Sequence, residues 1–201
     1  MKRFGNSLFT YDCVSCGKAV SGKCLCEKCL SECLPSGKYH NGFASAFIYE
    51  GPAMEAILRF KFGNDYSFCF DTLCDWLLIA YEKLDQKEFD AVVPVPVFGN
   101  EKTRLSELAE KFSLLANINF QPKLLRKTRK TEKQHNLSFY ERRVNLVGAF
   151  EAEDSVLGKR ILLVDDIFTT GSTVTECANA LYNKGAKEVC AITVLKTKYE
   201  P

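Results

Sequence analysis

Hydrophobic positions fall into short continuous runs and longer stretches at helical spacing, after an opening segment that has neither. "GFASAFIYEG" (42–51), aromatic and β-branched between glycines, predicts a strand. "PAMEAILRFKFG" (52–63) predicts a helix, with Pro in its first turn and Gly at its end. "SFCFDTLCDWLLIAYEKL" (67–84) has the spacing of a long amphipathic helix. "FDAVVPVPV" (89–97) is an apolar strand halted by prolines, and "RLSELAEKFSLLANI" (104–118) is another amphipathic helix. Residues 121–137 carry six Lys or Arg with no apolar period after Leu125, which predicts a solvated, mobile loop. "SFYERRVNLVGAF" (138–150) reads as a short helix and then a strand. "GKRILLVDD" (158–166) is a strand, "STVTECANALYNKG" (172–185) a helix and "AKEVCAITVLK" (186–196) a final strand. Strands that are apolar throughout and alternate with helices predict an α/β fold with a buried, mostly parallel sheet flanked by helices.

The opening segment changes that picture through its cysteines. Six of the ten fall between Cys13 and Cys33. Clustering of this kind, with no apolar leader before it, predicts a cytoplasmic protein with a metal site rather than a disulfide framework. "CVSC" (13–16) and "CEKC" (26–29) are two Cys-x-x-Cys pairs nine residues apart, suited to tetrahedral Zn²⁺ on Cys13, Cys16, Cys26 and Cys29. A redox Cys-x-x-Cys is the rival reading, disfavoured by two linked pairs without a preceding strand. Cys33 reads as a small buried hydrophobe, while Cys24 breaks the spacing. The division expected is a zinc ribbon over 1–38 and an α/β domain over 39–201. Of the 201 residues 46% are hydrophobic, enough for one core plus an appendage, and no apolar run approaches the ~18 residues of a membrane span. A net charge of +2 excludes a global field for nucleic acid, so any such preference must be local.

The chemistry concentrates in "ILLVDDIFTTGSTVTE" (161–176). A buried strand ends in Asp165 and Asp166, and Thr169, Thr170, Gly171, Ser172 and Thr173 follow before a helix. Strand carboxyl ends are where open α/β sheets bind ligands. A Gly among hydroxyls before a helix N-terminus suits a phosphate, and the carboxylates suit sugar hydroxyls. The alternative is a tight turn with Ser172 or Thr173 as N-cap and Asp166 as a surface acid.

"ILLVDDIFTTGST" resembles the phosphoribosyl pyrophosphate (PRPP) motif of type I phosphoribosyltransferases. The resemblance implies that fold, with Asp165 and Asp166 on the ribose hydroxyls and residues 169–173 on the 5′-phosphate. Mg²⁺ would be held mainly by the ligand's own oxygens. It also places a pyrophosphate loop after the 89–97 strand, where Lys102 or Arg104 supplies charge or simply opens a helix in solvent. The stretch with Arg129, Thr131, Gln134, Leu137, Arg142, Asn145 and Phe150 resembles the ComF family at that spacing. There a closing loop would bring Arg126, Arg129 and Lys130 to a departing pyrophosphate. Family members commonly carry an RGFNQ-like run after the Pro-Val-Pro strand, where this chain has the shorter "FGNEKTRLSE".

Two functions follow as expectations. One is a glycosyltransferase reaction, pentosyl transfer from PRPP to a base or amine, with no general base identifiable. The other is non-catalytic binding of single-stranded DNA through the ribbon and the basic loop (Arg126, Lys127, Arg129, Lys130, Lys133), with PRPP as a regulatory ligand. ComF relatives are associated with DNA uptake in natural transformation, which implies the uptake machinery and its helicase as partners. The aromatic run Phe60, Phe62, Tyr66, Phe68 and Phe70 serves either base stacking or, more commonly, the core. His40 lies far from the Cys pairs, and His135 falls in the basic loop.

Overall fold

A computed structural model describes residues 10–37, 42–99, 102–131 and 146–198. The chain opens with an antiparallel pair, β1 (Thr10–Asp12) and β2 (Ala19–Ser21), followed by the short helix α1 (Glu27–Ser31). β3 (Phe43–Ile48), α2 (Gly51–Phe62) and α3 (Phe70–Glu82) come next. A single 3₁₀ turn, Tyr66–Cys69, leads into α3, so the helix expected from Ser67 begins one turn later. β4 (Ala91–Pro94) and α4 (Arg104–Ala116) follow. Thr103 caps α4 by accepting the Ser106 N–H at 3.0 Å, and Asn117 ends it in the left-handed conformation at φ 54°.

The expected loop over 121–137 needs correction at its start. Pro122–Leu124 form a 3₁₀ turn, and β5 (Leu125–Lys127) pairs antiparallel with β6 (Phe150–Ala152). Leu124 and Leu125 are buried and anchor this turn and strand. Two leucines are too few to show a period, which is why the sequence reads as loop. The positions of Gln134, His135, Leu137, Arg142 and Asn145, and most of the short helix expected after 138, lie outside the described residues, as does His40.

β7 (Arg160–Phe168), α5 (Ser172–Asn183) and β8 (Glu188–Lys196) complete the chain. The central sheet is parallel in the order β3-β8-β7-β4. Leu162 and Val164 face a core shared with α2, α3 and α4, whereas Ile161 and Leu163 face the core under α5 and β6. Burial on both faces is the physical reason that the buried stretches of β7 and β8, Ile161–Val164 and Cys190–Leu195, are apolar but for Thr193. Pro94 is tolerated because β4 is the last strand of this sheet, with only a bridge from Val92 to Phe120 beyond it. β7 runs two residues past the expected end, so both aspartates sit within a strand.

The cysteine-rich segment is not packed separately. Cys13, Cys24, Leu25, Cys29 and Cys33 belong to the same apolar core as Phe60, Leu73 and Trp76. Tyr11 stacks on Phe68 at 4.6 Å, and the Cys24 N–H donates to Thr72 Oγ1 at 3.2 Å. Cys69, Cys74, Cys177 and Cys190 are all buried. Lys83, at the end of α3, donates to Ser36 Oγ (3.0 Å), Ser45 O (2.7 Å) and Ala46 O (3.0 Å), tying the end of the Cys-rich segment to β3. Lys83→Met removes the charged donor and leaves Ser45 O and Ala46 O with only their bonds from Ser36. It is expected to lower stability by about 2 kcal/mol, read as a lower denaturant midpoint at unchanged slope.

Candidate ligand-binding site

The carboxyl ends of the parallel strands open on a cavity of about 490 Å³. Asp165, Asp166, Thr169, Gly171, Ser172 and Thr173 line one wall, with Lys61, Phe62, Val95, Pro96, Lys127 and Phe168 among the others. The motif residues meet there because β7 delivers the aspartates at its end and the chain then turns directly into α5. β8 holds that turn in place: the Thr197 N–H donates to Phe168 O at 2.9 Å and the Thr197 hydroxyl to Thr169 O at 3.3 Å.

Neither Ser172 nor Thr173 is the N-cap of α5. Gly171 holds that position at φ 72°, a left-handed conformation that favours glycine. Thr170 Oγ1 accepts the Ser172 N–H at 3.4 Å and lies 2.9 Å from the Ser172 hydroxyl. Thr170, which does not line the cavity, thus braces the loop, while Thr169, Gly171, Ser172 and Thr173 line it. A Cβ at Gly171 would sit 2.6 Å from Phe168 Cζ, and Phe168 is itself stacked on Phe43 at 3.9 Å. Gly171→Ala is expected to cost about 1–2 kcal/mol of stability and to weaken inorganic phosphate binding at least ~10-fold, measured by competition titration.

The aspartates are electrostatically unequal. Burial, and then the charge of Asp166, push the Asp165 carboxyl up to about 7, against the Asp166 N–H that it accepts at 2.8 Å and the charge of Lys61. Asp166 is paired with Lys61, Nζ to Oδ2 at 2.8 Å. The site thus has a carboxyl that holds its proton more tightly than usual beside an ion-paired carboxylate, both lining the cavity.

The other expected cations are distributed differently. Arg104 lines an adjoining cavity of about 300 Å³, donates to Phe60 O at 2.7 Å and stacks on Tyr66 at 3.8 Å. Lys102 and Arg126 line a third cavity of about 720 Å³ on the far side of the Val95–Val97 segment, and Arg126 pairs with Glu151 at 2.7 Å. Arg129 donates to Val147 O at 3.0 Å, and Lys130 is exposed. Among the described residues, the cations that line the aspartates' cavity are Lys61 and Lys127. Burial pushes the Lys127 ammonium pKa down, and its Nζ donates to Thr131 Oγ1 at 2.7 Å. Lys61 carries no signal in the sequence beyond its place at the end of a helix. Within the aromatic run, Phe60 and Phe68 are core, while Phe62 is 75% exposed at the cavity rim.

In the N-terminal segment, the sulfurs of Cys13, Cys16, Cys26 and Cys29 all lie within 4.8 Å of one another. Four ligands at ~2.3 Å from a tetrahedral Zn²⁺ stand roughly 3.8 Å apart, and Cys16 Sγ is 3.6 Å from Cys26 Sγ. The Cys26 N–H also donates to Cys13 Sγ at 3.4 Å. Burial opposes the Cys13 thiolate, but N–H groups of Cys16, Cys26 and Ser15 outweigh it and bring the thiol down to about 6. The four thiols are compatible with a structural zinc.

Among known proteins, the family model described as "Phosphoribosyl transferase domain" matches residues 76–200. The chain is 27% identical to Competence protein F of Haemophilus influenzae over 202 aligned positions, covering 88% of this chain and 86% of that protein. It is 35% identical over 105 positions to DNA utilization protein YhgH of Escherichia coli O157:H7, spanning 50% of this chain and about half (46%) of that relative's length. A solved structure, orotate phosphoribosyltransferase from Aeropyrum pernix, superposes with a TM-score of 0.44 at 20% identity, covering 68% of this chain and 63% of that one.

Proposed function

Because the chain belongs to the phosphoribosyl transferase domain family, as a ComF-type member with the type I fold, we propose that its 490 Å³ cavity binds PRPP. The observation that carries the reading is one cavity holding a carboxylate pair and, one turn later, a glycine-centred loop of N–H and hydroxyl donors. The 2′ and 3′ hydroxyls of the ribose would bond Asp165 and Asp166. The 5′-phosphate would sit on residues 169–173, where backbone N–H groups and the start of α5 favour an anion. Mg²⁺ would arrive on the diphosphate as part of the substrate.

Transfer would break the C1–O bond to pyrophosphate and form a bond from C1 to a nucleophile of an acceptor, through a cationic sugar. Asp165 and Asp166 would hold the ribose and favour its positive charge, and Lys127 would face the same cavity. The names of the relatives, competence and DNA utilization, support a place for this activity in DNA uptake, with single-stranded DNA as a partner. That partner belongs to the second reading, in which PRPP binding regulates DNA binding without turnover.

Pyrophosphate release from Mg²⁺-PRPP is the deciding measurement, made with a panel of bases and amines. Release above that of an Asp165→Asn/Asp166→Asn double variant supports the transferase. PRPP binding without release, together with salt-sensitive DNA binding in both proteins, supports the regulatory reading. No PRPP binding at millimolar concentration rejects both.

A further inference from the structure

Resting on that PRPP reading, we propose that Lys61, in the last turn of α2, is the cation that receives the 1-diphosphate of the ligand. Three observations converge on it. The first is the position of the 300 Å³ cavity. Asp165 and Asp166 form a wall common to it and the 490 Å³ cavity. Of these two cavities, Thr169, Gly171, Ser172 and Thr173 line the larger alone, and Thr103 and Arg104 the smaller alone. In a ribose held by its 2,3-diol, the C1 substituent and the 5-phosphate leave on opposite sides of the diol. With the 5-phosphate on the loop, the C1 substituent enters the smaller cavity.

The second observation is charge. A diphosphate placed beside two aspartates is repelled unless cations offset the charge; Mg²⁺ travelling with it supplies part of that, and a side-chain cation beside the aspartates adds to it. Lys61 lines both cavities and is bonded at 2.8 Å to Asp166 Oδ2, with 30% of its side chain exposed. The carboxylate has lone pairs enough to accept a ribose hydroxyl as well, and a diphosphate in the smaller cavity is a second anion beside the same ammonium. Arg104, the other cation of the smaller cavity, is held by Phe60 O and the Tyr66 ring. It contributes fixed charge, whereas Lys61 can follow the ligand.

The third observation is support. The neighbouring Phe60 is buried against Phe70 and Tyr66, with ring centroids 5.4 and 6.1 Å away, so the helix end that carries Lys61 is rigidly seated. This placement gives the diphosphate a cation from α2. The segment after β4, which is short in this chain, contributes none to either cavity shared by the aspartates until Arg104.

Calorimetric titration of Mg²⁺-PRPP and of ribose 5-phosphate into the wild type, Lys61→Met and Lys61→Arg tests the assignment. Lys61→Met is expected to weaken PRPP at least ~10-fold while changing ribose 5-phosphate less than ~3-fold. Lys61→Arg should recover part of the loss. Equal weakening of both ligands, or unchanged PRPP affinity, overturns the role of Lys61 and leaves the PRPP site standing. A wild type that binds neither ligand removes the PRPP reading and this assignment with it.

Discussion

Stripping the metal with a strong chelator, or replacing Cys29 by Ser, is expected to unfold the whole chain and not just its first thirty-odd residues. A structural zinc contributes an apparent ~10–16 kcal/mol, similar to or larger than the net stability of an entire domain. In this protein the cluster is continuous with the main core. Cys13 and Cys29 are buried in the same apolar body as Phe60, Leu73 and Trp76, and Cys24 bonds to α3 through Thr72. Losing the metal leaves four thiols crowded together; burial and then the neighbouring cysteines already push the Cys29 thiol up to about 12. About one zinc per chain should be found by elemental analysis, and chelation should collapse the far-ultraviolet dichroism and the melting transition together. A melt that is unchanged after complete zinc removal would falsify this coupling.

Asp165→Asn is expected to abolish PRPP binding while raising the melting temperature. The ordinary carboxyl pKa of 3.8 is raised to about 7 in the fold, by burial first and by Asp166 second. Between those values the folded state binds more protons than the unfolded chain, so stability falls as pH rises through that window. Above pH 7 the penalty is fully present. Three pH units would correspond to ~4 kcal/mol, but Asp165 is only partly buried in the wall of an open cavity, so roughly 2 kcal/mol is the better expectation. An amide removes the charge and with it the pH dependence. Melts of wild type and variant at pH 4 and pH 8 should differ little at the first and favour the variant at the second. Loss of stability at pH 8, or PRPP affinity within threefold of wild type, would count against a strained, ligand-directed carboxylate.

Much of this architecture is legible without coordinates. β7 and β8 announce themselves as apolar runs because each is buried on both faces. α4 carries its cap in Thr103, and the loop Thr169–Thr173 carries its conformation in Gly171. β5 is not legible, since its burial comes from pairing with β6 across 22 intervening residues, 128–149, and not from a local period. The N-cap of α5 is misjudged for a related reason. Ser172 and Thr173 are good caps in isolation, but β8 holds the preceding loop so that Gly171 takes the position instead.

The local chemistry needs no coordinates: two carboxylates, a glycine-centred loop of hydroxyl residues and two Cys-x-x-Cys pairs are each compact enough for residue type and spacing to specify. Packing settles which distant side chains join them. Lys61 reaches Asp166 from more than a hundred residues away, while the nearer candidates Lys102 and Arg126 face another cavity. The Cys-rich segment likewise shares its core with α3. The physical reason is common to both. A motif is a property of consecutive backbone, whereas a charge pair or a shared core depends on how helices seat on a sheet, which no short stretch of sequence contains.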